Sequence, residues 1–572
     1  MYLFFPLERC HIDVGAKANR LRRMLSAGFP VPTAYVISEE GYSKASAEEL
    51  AEDVGELMET VFAGSPVVVR SSSADEDSPL ASAAGVYESY LNRRTTDEVL
   101  TAIQACRDSA DSVDAKAYRS MHGATERAPM NVLIQRMVPC EVSGVLYSRN
   151  PIAENATMLV ESSKGLGTRV VAGLGAMDRF TLSRSGGAAS PAGRRDWAVT
   201  EGTLSEVLAT LGHSLEAEFG SPQDVEWGLH EGQLYIFQSR DIVVPPVAQP
   251  LRMTRPETAG AVAVDEVLSP GYGVGVLTPA GEGPARLGQV VILDGMPTAG
   301  ELDRLRDASA LVVRVGNALS HSAALTRELA IPAVLLADVD TPSSLVGVPV
   351  LVDAVAGRLA PLLELPPVER KKAIFAAMRQ AGLRGTTGHQ YQGRYETVLF
   401  DPVFQDRVRA YLSTHDVEIM DRVQSILPFD DPDRSYCGIS ARIQSSGDAC
   451  RVQFKRANLL PDRPFRFDEE VHVGVESTDV GAELLRSLHY VDRPVQERRI
   501  ETAEVNGVRL QFNFWPGANQ SYLGLESENA EAVENFLVLC DVPLAEIAPL
   551  DGKDLFDMLG LGLDAVHFTQ KS

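Results

Sequence analysis

The densest chemistry in the chain surrounds position 321. In VRVGNALSHSAALTRELAIPAVLLAD (313–338), a histidine follows a small-residue turn and opens a helical stretch that ends near Ala330. A helix beginning there presents unpaired N–H groups and a partial positive charge to its first residues. A phosphoryl group carried on His321 would be stabilised at that end. Imidazole suits the task, being substantially neutral and hence nucleophilic near pH 7. A lone histidine is more often structural. The setting of Ser320, Arg327 and Glu328 before a β-branched strand moves the reading towards catalysis.

Three earlier segments carry groups that suit phosphate. In VGAKANRLRRMLSAGFPVPTAYVIS (14–38), a Gly-X-Lys turn opens a helix that ends at Gly28, and Lys17 beside that turn is a natural phosphate contact. A solvated surface lysine is the alternative. In VVVRSSSADEDSPLASAAGVYESYLN (67–92), Arg70 closes a buried strand and is followed by three serines. A permanently charged guanidinium with adjacent hydroxyls suits an anion; an ion pair with Asp75 or Glu76 fits the spacing equally well. In SPQDVEWGLHEGQLYIFQSRDI (221–242), a turn at His230–Gly232 predicts a hairpin with Asp224 and Glu226 on one strand and Gln238 and Arg240 on the next. Carboxylate plus amide oxygen makes a suitable Mg²⁺ shell, with Arg240 balancing phosphate charge.

These groups need elements to position them. The 572 residues, 45% hydrophobic and 23% charged, imply three or four folding units at roughly 100–200 residues per domain. The net charge of -25 excludes bulk attraction to nucleic acid or an anionic membrane, so neither is expected as a partner. Six scattered cysteines without a CxxC pair predict reduced thiols and no structural zinc. The N-terminus lacks a basic signal-type start, and no run approaches the ~18–20 apolar residues of a membrane span. A cytoplasmic protein is expected.

Two Pro-bearing stretches, 242–256 and 361–369, predict joints. They divide the chain into units at 1–245, 256–365 and 370–572. The central unit alternates QVVILDG, ALVVRV and PAVLLAD with the helical HSAALTRELA, a βαβ rhythm. The last unit reads as successive alternating strands, GISARIQ, ACRVQFKRA, FRFDEEVHVGV, VQERRIETAEV, VRLQFNFWPG and SYLGLESE, followed by a helix, NAEAVENFLVLC. Arg442, Gln444, Arg451, Gln453 and Lys455 share alternation across two strands, as Glu497, Arg499 and Glu501 do on another. A barrel with a polar lumen and a sheet with one solvated face both fit that pattern.

The N-terminal unit resembles the ATP-grasp nucleotide-binding domain of phosphoenolpyruvate synthase, pyruvate phosphate dikinase and rifampicin phosphotransferase. The matching stretches are VGAKANRL…GFPVPTAYVIS, VVVRSSSADEDSPLASAAGVYESYLN, VLIQRMVPCEVSGVLYSRNP, ESSKGLGTRVVAG and QDVEWGLHEGQLYIFQSRD, in the family's order. The resemblance implies ATP contacts at Lys17, Arg70, Gly85, Ser89 and Gln135. It also implies that Asp224, Glu226, Gln238 and Arg240 handle Mg²⁺ and phosphates, with Glu226 and Gln238 as metal ligands. The stretch around His321, with SPGYGVGVL (269–277) upstream, resembles the swivelling phosphohistidine domain of the same families. Here VGAK replaces Gly-Gly-Lys, Ser89 replaces a threonine, Asp241 follows QSR, and Asn317 replaces a glycine. None of these removes a charged ligand or the nucleophile.

After position 369 the pattern departs from those families: the remaining 203 residues are short of the ~250 that a (β/α)₈ barrel takes and lack its rhythm. The strand order ARIQ, QFKRA, FDEEVHV, LHYV, ERR and LGLESE resembles the CYTH or triphosphate-tunnel fold. The metal-binding Glu-x-Glu-x-Lys strand of that family is reduced to Glu396 in YETVLF, and Gly524 replaces another glutamate, leaving Glu526. The fold class expected is therefore α/β and α+β multidomain: ATP-grasp, a small α/β swivel, and a β-rich CYTH-like domain. The function implied is an ATP-dependent dikinase-type phosphotransferase. It forms phospho-His321 with release of AMP, using Lys17, Arg70 and Arg240, and passes the phosphoryl group to a small-molecule acceptor near Arg442, Arg451, Lys455, Arg499 and Glu526. Two other readings are a regulatory ATP-binding protein with a ligand-sensing tail, and a triphosphate hydrolase of the tunnel type.

Overall fold

A computed structural model describes residues 3–73, 86–87, 89–122, 127–152, 157–165, 178–184, 199–200, 203–242, 260–337, 344–386, 388–430, 439–446, 449–460, 465–488, 490–493, 495–544, 547 and 559. Two five-stranded antiparallel sheets build the N-terminal part. The first runs Phe5–Pro6, Ala34–Ile37, Met130–Arg136, Val67–Ser73, Ser89–Arg93. The second runs Gln233–Asp241, Gln223–His230, Val142–Tyr147, Thr157–Lys164, Asp178–Ser183. Helices Ala16–Ser26 and Leu204–Phe219 fill the space between them, where Leu21, Met24, Leu133, Leu211 and Trp227 are buried together. Gly15 precedes the first of these helices at φ 85, and a Cβ there would lie 2.2 Å from the Ser72 carbonyl oxygen. Only glycine lets that helix start against the strand carrying Arg70.

The central part is an eight-stranded mixed sheet whose parallel core is Tyr272–Pro279, Gln289–Leu293, Ala310–Val313 and Ala333–Leu335. Helices Ala299–Leu305 and His321–Glu328 make the crossovers, which is the rhythm expected from sequence. His321 therefore stands beyond the C-terminal ends of the parallel strands. Ser320 caps its helix, the side chain accepting from the Ala323 N–H.

The stretch at 361–369 is not an open tether. It forms a strand end, a 3-10 turn (Leu362–Glu364) and the start of helix Pro367–Leu383. Ile374, Phe375 and Met378 of this bridging helix share one core with Tyr272, Val274 and Leu351 of the central sheet and with Phe454, Val471 and Val473 beyond it. This helix is buried around most of its girth, Glu369, Arg370 and Lys371 included, so it is covered on both sides. Near its C-terminal end Gln380 donates to the Ala330 carbonyl (3.3 Å) and Arg384 to that of Ala308. Both carbonyls precede parallel strands, so bridging helix and His321 lie at opposite edges of the central sheet.

The C-terminal part is a closed antiparallel barrel of eight strands. These are Ile439–Ser446, Ala449–Leu459, Arg466–Val475, His389–Leu399, Tyr522–Ser527, Val508–Phe514, Gln496–Val505 and Met420–Asp430, the last pairing back with the first. The six strands expected from sequence are present, and so is helix Ala530–Leu539. Strand Met420–Asp430, interrupted in pattern by Pro428 and Ile426, was not expected. Apolar side chains point outwards under the bridging helix and helix Thr478–Ser487 on one side, and under Pro402–Thr414 and Ala530–Leu539 on the other.

Candidate functional site

The crevice between the second N-terminal sheet and the central sheet gathers most of the phosphate-handling candidates. Across the hairpin, Glu226 pairs with Gln238 and Asp224 with Arg240. The register leaving the turn would set Gln238 opposite Val225, on the core face. An extra residue at Phe237 resets it, turning Gln238 and Arg240 to the carboxylate face. Arg240 donates to Asp224 (Nε 2.7 Å, Nη2 2.6 Å), so Asp224 orients this guanidinium. Burial raises the Asp224 pKa, with Arg240 pulling against it.

Arg70 reaches across from the first sheet. It donates to the Phe237 carbonyl (2.7 Å) and Gln238 Oε1 (2.6 Å), and lies 3.5 Å from Glu226. Asp75 and Glu76, the other partners compatible with sequence, lie outside the described residues. Although burial acts to raise it, the Glu226 pKa is held low by Arg70, then His321 and Arg240. Lys17 donates to the Ser71 carbonyl at 3.0 Å. Gln135 is 2% exposed and opposes Val68, two residues from Arg70; its Nε2 has no hydrogen-bond partner. Ser89 opposes Arg70 from an exposed strand end. Gly85 lies outside the described residues.

His321 enters this crevice from the central part. Burial pulls its pKa down to about 4, helped by Arg240, Lys17 and Arg70 and opposed by Glu226. The imidazole is thus neutral at pH 7 with a free lone pair. Contacts that sequence reading missed seat it there. Tyr147 donates to the Leu319 carbonyl (3.3 Å) and Arg327 to that of Leu268 (2.9 Å). His122 Nε2 lies 2.7 Å from Glu328, which also accepts from Tyr118. Arg179 bridges Glu161 (2.5 Å) and Glu266. These partners lie up to 210 residues apart, so no local pattern announces them.

The oxygens of Glu226 and Gln238 are hard donors of the kind Mg²⁺ takes. Among the described residues no group of three or more His, Cys, Asp or Glu could hold a metal by itself.

The barrel lumen is a second polar region. Arg442 and Arg451 face into it from neighbouring strands, bonded to Gln453 and Gln444 respectively, each cross-strand in register. Lys455 lies there too, 2.8, 2.6 and 3.1 Å from Glu396, Asp468 and Glu470. Glu526 pairs with Arg394 (2.7 Å) and Arg509 (3.2 Å). Arg499 does not belong to this set. It lies on the outer face, its side chain 44% exposed, paired with Asp421 and Glu501. Its neighbour Arg498 faces inwards, donating to Gln424 (2.7 Å) and Tyr522 (3.3 Å). With a two-residue period, choosing the wrong arginine of ERR reverses the face.

Two segments match known protein families. Residues 47–196 match the AMP/ATP-binding domain of pyruvate phosphate dikinase, and residues 286–357 match the mobile domain of PEP-utilising enzymes. The chain thus joins a segment similar to a nucleotide-binding domain to a segment similar to the mobile domain of PEP-utilising enzymes. It is 30% identical over 352 residues to a protein named "Probable phosphoenolpyruvate synthase" from Archaeoglobus fulgidus, covering 54% of this chain and 46% of that one. It is 29% identical to phosphoenolpyruvate synthase of Pyrococcus furiosus, over 60% of this chain and 46% of that one. A rifampicin phosphotransferase from Streptomyces is 35% identical over 31% of this chain and 23% of its own length. The matches span less than half of each relative. None of the described helices is long and apolar enough to cross a membrane.

Proposed function

We propose that the chain is an ATP-dependent phosphotransferase of the dikinase type, with a nucleotide-binding unit (1–245), a phosphohistidine unit (256–365) and a tunnel-like barrel (370–572) holding a small-molecule acceptor. One observation carries the reading: a neutral imidazole, at a capped helix start, faces Lys17, Arg70, Glu226 and Arg240 across the crevice. ATP is contacted by Lys17, Arg70, Gly85, Ser89 and Gln135, the orphan amide of Gln135 supplying a donor. Asp224 keeps Arg240 aimed at the phosphates. Mg²⁺, when bound by Glu226 and Gln238, neutralises phosphate charge and makes the β-phosphorus more electrophilic.

A ring nitrogen of His321 attacks the β-phosphorus of ATP. The bond from that phosphorus to the oxygen bridging to the α-phosphate breaks, and AMP leaves with that oxygen. A pyrophosphoryl group stays on the imidazole. Transfer of its outer phosphoryl to water or inorganic phosphate leaves phospho-His321, which donates to the acceptor. Catalysis is chiefly positioning and charge neutralisation. The test uses ATP labelled at the β-phosphate: acid-labile label should attach to His321 with AMP as nucleotide product, and His321→Ala should abolish it. ADP as the sole nucleotide product rejects the reading.

A further inference from the structure

The tunnel-type reading of the barrel brings with it a divalent metal, and the lumen does not fit one. Its carboxylates are already engaged. Lys455 Nζ sits among Glu396, Asp468 and Glu470, and Arg466 reaches Glu396 (2.9 Å) and Asp468 (3.0 Å). Two cations thus sit against three carboxylates. Little net charge remains to attract a divalent ion, whose entry would have to displace an ammonium and a guanidinium held at hydrogen-bond distance. Glu526, further round, is shared by Arg394 and Arg509.

The opposite holds for Arg442, Arg451 and Arg498. Among the described residues no carboxylate lies within ion-pair distance of any of them. Each is bonded instead to the amide oxygen of the glutamine across the strand: Gln453, Gln444 and Gln424. An amide fixes the direction of a guanidinium without cancelling its charge. Burial lowers the pKa of Arg442, with Arg498 adding repulsion and Glu470 and Glu396 opposing from a distance, and burial likewise lowers that of Arg451 against Glu470 and Glu526. Enclosing like charges without a directly paired carboxylate is costly, and an anion in the lumen relieves that cost. Buried atoms at His472 Nδ1 and Asn513 Oδ1, on lumen-facing residues, are also left without protein partners.

We propose that the barrel is a metal-independent receptor for a compact phosphate-type polyanion, bound by Arg442, Arg451 and Arg498, with Lys455 standing in the carboxylate cluster as a built-in cation. This deepens the reading of the barrel as the acceptor site: it makes the acceptor polyanionic and makes the barrel a holder of phosphate rather than a metal-dependent hydrolase. The experiment is calorimetric titration of the full chain with inorganic pyrophosphate and tripolyphosphate, in EDTA and in Mg²⁺, with no nucleotide present. Binding should persist in EDTA with less than a threefold change in Kd. It should weaken at least tenfold in Arg442→Gln and Arg498→Gln, while Arg499→Gln, on the outer face of the same strand as Arg498, leaves it intact. Gln453→Glu and Gln424→Glu separate this from misfolding. Each supplies the missing counter-charge, so each should raise Tm while weakening anion binding at least tenfold. Loss of binding in EDTA, no binding of either probe, or lumen variants that bind as well as the parent would overturn the proposal. Because ATP is absent, a failure to form phospho-His321 elsewhere would leave these outcomes standing.

Discussion

At the scale of single residues, the crevice works by holding charges in fixed directions. Arg70 illustrates this: its guanidinium bonds a main-chain carbonyl and an amide oxygen at once, so its charge is aimed but only weakly neutralised. Arg70→Lys keeps the charge and loses the fork. Removing one such preorganised contact costs on the order of 10²–10³-fold in rate, and single-turnover labelling of His321 should fall by about that factor in Arg70→Ala, and by less in Arg70→Lys. His321 itself makes a pH prediction. Its pKa is near 4 in the crevice, against about 6.5 for an ordinary exposed imidazole, so the docked state binds fewer protons. Docking is therefore undiminished above pH 6.5 and weakens as pH falls from there towards 4. The labelling rate against pH should show an acid limb within that window; a rate that is flat down to pH 4.5 contradicts the depressed pKa.

At the scale of elements, the bulge at Phe237 decides whether the hairpin can do chemistry. Deleting Phe237 restores a regular register in which Gln238 still opposes Glu226, but it removes the bulged main-chain carbonyl that accepts from Arg70, and a buried donor left unpaired costs about 1–3 kcal/mol. Both ATP-dependent labelling and thermal stability should drop, whereas Phe237→Leu, which keeps the residue count, should retain most labelling. The bridging helix is the second decisive element. Phe375 has 0% exposure and belongs to the core shared by the central sheet and barrel. Phe375→Ala should cost about 3–5 kcal/mol and split a joint unfolding transition of central part and barrel into two in calorimetry. A single transition, merely shifted, would show that the shared core does not couple them.

At the scale of the molecule, the arrangement sets His321 and the barrel apart. The histidine lies beyond one edge of the central sheet, and the bridging helix is pinned to the other by Gln380 and Arg384. The expected joint at 242–256 lies outside the described residues from 243 on; any motion of the central part relative to the N-terminal sheets would carry the barrel with it through the shared core. Delivery from His321 to the lumen of the same chain then requires the bridging helix to let go. A cross-link between that helix and the central sheet should leave His321 labelling untouched and block discharge to a lumen-bound acceptor. Discharge that survives the cross-link would place the receiving lumen on another copy. The contacts seating His321, Arg179 with Glu266 and His122 with Glu328, have their acids on the central part. In the proposed cycle, undocking would take these acids away from their cationic neighbours as phosphate charge builds on the same domain.

Much of this protein was legible in order along the chain. A histidine at a helix start, a lysine after a glycine turn, strands of period two and a βαβ rhythm are local patterns, because backbone geometry repeats over two to four residues. Gly15, Ser320, the hairpin and six barrel strands followed from such signals. What needed the tertiary structure was everything set by position across the fold. Whether Arg498 or Arg499 enters the lumen depends on register against a strand 74 residues away in sequence. Gln238 reaches Glu226 only through a bulge that no residue type signals. The charged helical run RKKAIFAAMRQAG (370–382) is a helix as its spacing suggests, but it is buried because two sheets close over it. Lys455 changed from an apparent ligand-binding cation to a sequestered one, since only closure of the barrel brings three carboxylates within hydrogen-bond distance of it. Local spacing determines which groups the chain can offer; long-range closure decides which of them remain uncompensated, and those are the groups left to bind or react.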